Sequence, residues 1–224
     1  MSTLVFSDTH FAKKFDKKRF NALKSLILKS EKIIINGDFW EGLTYNFEDF
    51  LQSTWRELFP LLKQKDTVYV YGNHDYKHLS DDRVYMFCNK AVKEYILEMP
   101  NRTYLFRHGH EFLFPKHPYE ELWKNRSKIY KVARKLVSDT AACIQRAIFG
   151  LFGPKAFPVF INHMSATVRR KAGKPQYLLV CGHTHRPFYS KRSNFIDIGF
   201  FNYGWANYLT IDNFGDFKLH SHKY

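Results

Sequence analysis

Cysteine is scarce in this chain. The three that occur, Cys88, Cys143 and Cys181, are odd in number, far apart, and form no C-x-x-C pair. That argues against a disulfide framework and suits a reducing, cytoplasmic setting. Cys181 is expected to be a buried strand-end residue rather than a nucleophile or ligand. Long apolar runs are also missing. No uninterrupted apolar stretch of eighteen or more exists, so no membrane span is expected. The opening residues MSTLVFSDTH lack a basic region followed by a long apolar one, and no signal peptide is expected. Acids are in short supply: 21 Asp and Glu face 35 Lys and Arg, a net charge of +14. Such a surface attracts phosphates, nucleic acids or acidic lipid headgroups. Internal repeats and low-complexity tracts are absent as well.

The chain has the means to build a core. Of its 224 residues, 45% are hydrophobic, which argues against global disorder. Aromatics reach 18%, with Phe dominant, enough for a large core or an apolar binding surface. Apolar runs at Thr3–Phe6, Lys32–Ile35, Thr67–Tyr71, Thr103–Arg107 and Tyr177–Cys181 read as strands. Between them, Phe20, Leu23, Leu26 and Ile27 fall on one helical face. Phe47, Phe50, Leu51, Trp55 and Leu58 mark a second helix, with Pro60 near its end. Strands alternating with helices predict an α/β core. Toward the C-terminus, Phe195–Phe200, Tyr208–Asp212 and Phe217–His220 read as antiparallel strands completing a sheet that packs on the first. Asn213–Asp216 reads as a hairpin turn.

Each of the five apolar strands runs directly into a polar cluster: SDTH, NGD, GNHD, HGHE and GHTH. In open α/β sheets ligands sit beyond the carboxyl ends of strands, so the clusters are expected to converge. They supply Asp8, His10, Asp38, Asn73, His108, His183 and His185: two carboxylates, one amide oxygen and four imidazoles. His183 and His185, two apart in extended chain, can face one spot. Mixed nitrogen and oxygen donors suit Mn, Fe, Zn or Ni rather than Ca or thiolate chemistry. The number of donors exceeds one tetrahedral ion and suits two ions about 3.5–4 Å apart, bridged by a shared carboxylate. Singly, each residue has a commoner role, Asp as an N-cap and Asn as a turn former. Histidines outside the clusters, such as His78, His163 and His220, are expected to be structural or on the surface.

The blocks Asp8-Thr9-His10, Gly37-Asp38, Gly72-Asn73-His74-Asp75, His108-Gly109-His110 and Gly182-His183-Thr184-His185, in that order, resemble the calcineurin-like metallophosphoesterase family. The resemblance implies a four-layer α/β/β/α sandwich and hydrolysis of phosphoester or pyrophosphate bonds with two divalent ions, Mn²⁺ foremost. It implies that Asp8, His10 and His185 hold one ion, Asn73, His108 and His183 the other, and that Asp38 bridges them. The ions would acidify the attacking water and clamp the phosphate oxygens. His74 would act in catalysis, as acid or transition-state stabiliser, with Asp75 orienting it by a hydrogen bond. His110, Glu41 and Arg186 are expected to meet substrate.

The stretches NGDFWEG, FRHGHEF and GHTHRP further resemble the branch of that family containing UDP-2,3-diacylglucosamine hydrolase, which carries a helical cap between the fourth and fifth blocks. Two positions depart from that branch, which typically has Arg where His74 stands and Asp where His110 stands. Residues 115–174 here are expected to form such a cap within a single 1–224 domain. It is basic and Phe-rich, with Phe149 and Phe152 meeting substrate. A basic amphipathic cap suits a phosphorylated lipid at an anionic bilayer surface and peripheral membrane contact. Three alternatives stand beside this reading: an ordinary helical hairpin covering the sheet, a nuclease or nucleotide phosphodiesterase tracking a phosphate backbone, and a non-catalytic metal-binding scaffold. The filled ligand positions disfavour the last. Composition gives no oligomeric state.

Overall fold

Side-chain alternation decides how the layers stack. The computed structural model describes residues 2–113, 136, 140, 143–155, 158–172 and 176–224. In β1 (Thr3–Phe6) and β2 (Lys32–Asn36) successive residues face opposite sides. Leu4, Phe6, Ile33 and Ile35 pack with helical residues Phe20, Leu23 and Phe50. Val5 and Ile34 join a separate cluster with Tyr104, Phe106, Leu178, Val180 and Ile196 of a second sheet. Beyond that sheet, Leu179, Cys181 and Phe195 turn outward onto Ile161 and Met164 of the helix Pro158–Ala172. The result is helix, sheet, sheet, helix: the expected α/β/β/α sandwich.

The first sheet has seven strands. β1 and β2 run parallel to β3 (Val68–Val70) and β4 (Lys90–Val92). The other edge of β1 pairs antiparallel with β11 (Trp205–Ile211), which also pairs with β10 (Phe201–Asn202) and β12 (Phe217–Lys223). The second sheet orders as β5 (Tyr95–Met99), β6 (Arg102–Phe106), β7 (Leu178–Cys181), β9 (Phe195–Asp197) and β8 (Phe188–Ser190), with β6, β7 and β9 parallel. The carboxyl ends of β1, β2, β3, β6 and β7 carry the polar clusters.

Three expectations need correction. The second helix is not continuous. Its first segment, Phe47–Gln52, ends where Ser53 turns extended, followed by a 3₁₀ turn Thr54–Leu58 and a new helix Phe59–Gln64. Pro60 stands in the first turn of that new helix, where a missing N–H costs nothing, so it starts a helix rather than ending one. The C-terminal strands do not form one sheet: β9 joins the second sheet, while β11 and β12 extend the first. The switch occurs at Ile198–Phe201, where Ile198 donates to the Cys181 carbonyl and Phe201 to that of Ser7, with Gly199 between at φ +81°. Strands β4, β5 and β8 escaped sequence reading because they are short or half-exposed and lack a strong apolar run.

The basic stretch Trp123–Val137, apart from Leu136, lies outside the described residues, as does most of the predicted insertion before residue 143. Among the described residues no helix is long and apolar enough to cross a membrane. Cys181 is fully buried at the end of β7, as expected.

Because Ile34 is wedged between the sheets, Ile34→Ala should cost about 2–5 kcal/mol of stability, read from urea unfolding. A loss below about 1 kcal/mol would mean the sheets do not pack through this residue.

Candidate metal centre

Five of the expected ligands sit in backbone that their side chains disfavour. Asp8, His10, Asp38, His183 and His185 have φ of +53°, +44°, +52°, +72° and +60°. Non-glycine residues in the left-handed region are uncommon, and their clustering at one place marks a constrained site. The constraint is close approach. A Cβ on Gly72 would lie 2.1 Å from Asp38 Oδ1, and one on Gly37 would lie 2.3 Å from His108 Nδ1. Only glycine lets the β3 and β2 ends come this near the ligating side chains.

The geometry brings the seven together in two groups. His185 Nε2 lies 3.2 Å and His10 Nε2 3.9 Å from Asp8 Oδ1. His108 Nε2 lies 3.1 Å from Asp38 Oδ2 and 3.0 Å from Asn73 Oδ1. Asp8–His10–His185 and Asp38–His108–His183 are each close enough to share one cation. Asp38 stands between them, its Oδ2 also 3.8 Å from His10 Nε2.

Electrostatics says what the site lacks. Asp8 and Asp38 are buried. Among the described residues their only ion-pair partners are histidines, with no Lys or Arg. Burial opposes their ionisation, yet His108 and its neighbours hold both carboxyls below their usual range. Burial would likewise depress His108, but Asp38 and Asp8 outweigh it and raise its pKa to about 10. Without metal, a proton on His108 supplies the positive charge two buried carboxylates demand. His183 is driven the opposite way, first by burial and then by His108, and stays neutral, the form that ligates. The donor set therefore fits two divalent cations.

Further groups fix the ligands in place. His108 Nδ1 donates to the Asn36 carbonyl at 3.0 Å, leaving Nε2 to face the site. Thr184, between the two histidines of the last block, donates to buried Asp197 at 2.6 Å. Sequence reading missed Asn36 and Asp197, although both close apolar strands in the same manner as the blocks it found.

Glu41, expected to meet substrate, takes the part expected of Asp75. The Asp75 carboxylate does not hold His74. It accepts the backbone N–H groups of Gly72, Asp38 and Phe39, tying the β2 and β3 loops together. Burial, then Asp38, raises its pKa to about 7. The partner of His74 is Glu41, whose oxygens lie 2.8 and 2.9 Å from His74 Nδ1 and 3.0 Å from His10 Nδ1. Burial would lower the His74 pKa, but Glu41 and Asp38 lift it to about 9.

The remaining expected contacts are distributed as follows. His110 opens a short helix, His110–Leu113, with its ring 5.7 Å from that of His108. Arg186 donates to the Lys155 carbonyl at 2.5 Å, so its guanidinium braces the 153–155 segment. Phe149 is buried against Phe200 and Tyr203, its ring 5.9 Å from that of His185. Phe152, on the same helical run 143–152, is 64% exposed. A cleft of about 740 Å³ opens beside His10, His74 and His185. Its other walls carry Lys14, Lys17, Lys18, Arg19 and Arg146, with Tyr203 and Asn202.

A family model, calcineurin-like phosphoesterase, matches residues 1–187, all five blocks. The chain belongs to the calcineurin-like phosphoesterase family. It is a hydrolase of that family, whose members typically depend on two metal ions. No curated protein matches it. Among solved structures it is similar to a novel archaeal phosphodiesterase, 14% identical over 99% of this chain and 100% of that one, TM-score 0.50. It is also similar to Yfce, a phosphoesterase from E. coli, 17% identical over 95% and 89%, TM-score 0.49. A single mutant of Vps29 from Entamoeba histolytica is 12% identical over 100% and 99%, TM-score 0.49. At 14% identity the likeness to the archaeal phosphodiesterase speaks for the fold alone.

Two outcomes follow from the geometry. In metal-free protein, NMR titration should place His74 near pH 9 and Glu41→Gln should bring it back toward the ordinary histidine range; an unmoved midpoint would remove Glu41 as the cause. Gly72→Ala should displace Asp38 and weaken metal affinity by about 10–100-fold in calorimetric titration, the scale of a disturbed ligand support. Unchanged affinity would show that the close approach at Gly72 is not required.

Proposed function

We propose that this protein hydrolyses a phosphoester or pyrophosphate bond, with Asp8, His10 and His185 holding one divalent ion, Asn73, His108 and His183 the second, and Asp38 between them. The observation that carries the reading is the pair of buried carboxylates whose only ion-pair partners, among the described residues, are imidazoles. Two bound ions would supply a nucleophilic water at neutral pH and charge to offset that on the phosphoryl oxygens. The mixed donor set supports Mn²⁺, with Fe, Zn or Ni as alternatives.

The chain's own residues do the rest. Glu41 binds His74 through Nδ1, which leaves Nε2 as the nitrogen to serve the substrate. With its pKa raised to about 9, His74 is an imidazolium at neutral pH and can give a proton to the leaving oxygen. His74 lines the cleft, so substrate entering there meets it directly. His110, its ring 5.7 Å from that of His108, is a further candidate for substrate contact.

For the substrate we favour a lipid-linked nucleotide of the UDP-2,3-diacylglucosamine type, met by peripheral contact with an anionic membrane. Support comes from the helical run 143–152, within the span expected to form the cap. Gln145 and Arg146 line the cleft, while Ile144, Leu151 and Phe152 stand exposed. Apolar side chains bared beside a basic cleft suit a substrate with phosphate at one end and acyl chain at the other. The basic wall by itself favours a second reading, a phosphodiesterase acting on nucleotides or single-stranded nucleic acid.

A panel with added Mn²⁺ separates these readings: bis-p-nitrophenyl phosphate, p-nitrophenyl phosphate, single-stranded DNA and UDP-diacylglucosamine. The account expects the last to be cut, and Phe152→Asp to reduce that turnover while sparing bis-p-nitrophenyl phosphate. Turnover of DNA without the lipid would overturn the lipid reading. No turnover of any phosphoester would overturn the catalytic one.

A further inference from the structure

Arg19 is a buried charge that, among the described residues, forms no ion pair; Asp16 acts on it only through space. Only 4% exposed, it nonetheless lines the cleft beside His10, His74 and His185. Its Nη1 donates to the Thr9 carbonyl at 2.8 Å, its Nε has no hydrogen-bond partner, and among the described residues it forms no ion pair with a carboxylate. The nearby Asp16 carboxylate caps the first helix by accepting from the Arg19 backbone N–H at 3.1 Å. The guanidinium lies over the rings of Trp55 and Phe11, at 4.7 and 5.0 Å to the centroids. Those contacts hold it in place but do not neutralise it. A buried cation left unpaired is costly, and the natural remedy is an anion from solution.

Its position narrows what that anion is. Thr9 lies between Asp8 and His10, so the guanidinium is anchored to the loop that carries one ion's ligands. Lys14, Lys18 and Arg146 reach the same cleft from two directions, the 12–19 segment and the helical run 143–152. Asp16 and Glu41 also line this cleft, but Asp16 caps the first helix and Glu41 holds His10 and His74, so one scissile phosphate at the metal ligands leaves Arg19, Lys14, Lys18 and Arg146 in excess.

We propose that Arg19, with Lys14, Lys18 and Arg146, forms a second phosphate subsite, so that the substrate carries another phosphate besides the one attacked. The proposal rests on the phosphoesterase reading above and specifies its substrate class. Either a pyrophosphate-linked nucleotide or the neighbouring nucleotide of a strand presents that chemistry.

Binding can be tested apart from catalysis. Inorganic pyrophosphate is titrated into chelated, metal-free protein and followed by calorimetry and by tryptophan fluorescence, since Trp55 stacks on Arg19. Pyrophosphate should bind, and Arg19→Gln should weaken it about tenfold, the worth of a lost charge-assisted hydrogen bond. Should Arg19→Gln fail to fold, the exposed pair Lys18→Ala and Arg146→Ala makes the same test, with weakened binding expected. No binding, or binding unchanged in these variants, overturns the subsite. With Mn²⁺ present, KM is then compared for TpT, pTpT and UDP-N-acetylglucosamine. A lower KM for pTpT than TpT, lost in the double variant, assigns the second phosphate to a strand. A low KM for the UDP-sugar alone, likewise lost, assigns it to a pyrophosphate. Equal KM for all three, unaltered by the variants, refutes the subsite while leaving the phosphoesterase reading intact. Absence of all turnover alongside Arg19-dependent pyrophosphate binding refutes that reading and leaves the anion subsite standing.

Discussion

Two buried carboxylates that, among the described residues, pair with no lysine or arginine set the terms for this molecule. Asp8 and Asp38 end adjacent parallel strands and point into one small volume, where charge of their own sign is the worst neighbour. The surrounding imidazoles answer them partly, through the raised pKa of His108, and divalent ions would answer them better. Much of the local structure serves this arrangement. The left-handed backbone at five ligands, the bare glycines and the backbone amides gathered by Asp75 all bring strand ends closer than side chains normally allow. The inter-sheet core of Val5, Ile34, Val180 and Leu209 is the platform that fixes those ends. Strain at the ligands can persist only because that platform over-determines their positions.

The same frame ties two of the candidate site residues to one group. One carboxylate, Glu41, touches both His10 and His74. The loop carrying His10 and the side chain of His74 are therefore held by a single group, and their relative placement does not depend on flexible intermediaries. The cleft opens beside His10, His74 and His185, and the basic residues Lys14, Lys18, Arg19 and Arg146 line it as well.

The sheet architecture was legible because alternation and strand-end polarity leave clear marks. Ile33-Ile34-Ile35 before Gly37-Asp38, and Leu178 to Cys181 before Gly182-His183, state both burial and destination. The convergence of the polar clusters was legible for the same reason: five of them follow five apolar strands. What stayed hidden depends on contacts across the fold. Asp75 adjoins His74 in its block while Glu41 stands 33 residues away, so sequence proximity pointed to the wrong carboxylate and only the fold shows which one meets His74. Arg19 reads as one more lysine-rich surface residue in KKRF, and only the packing of Phe11 and Trp55 shows that it is buried. The sheet switch at Ile198–Phe201 escaped for a related reason, since hydrogen bonds to Cys181 and Ser7 decide it; the break at Ser53 is local, with its N–H and hydroxyl both donating to the Phe50 carbonyl.

The account turns on whether cations reach the place these residues define. The most direct measurement is an anomalous difference map from crystals of the protein grown with manganese. The account predicts two peaks on either side of Asp38, one near Asp8, His10 and His185, the other near Asn73, His108 and His183. A map with no peak there, or with manganese bound elsewhere on the surface, would contradict it.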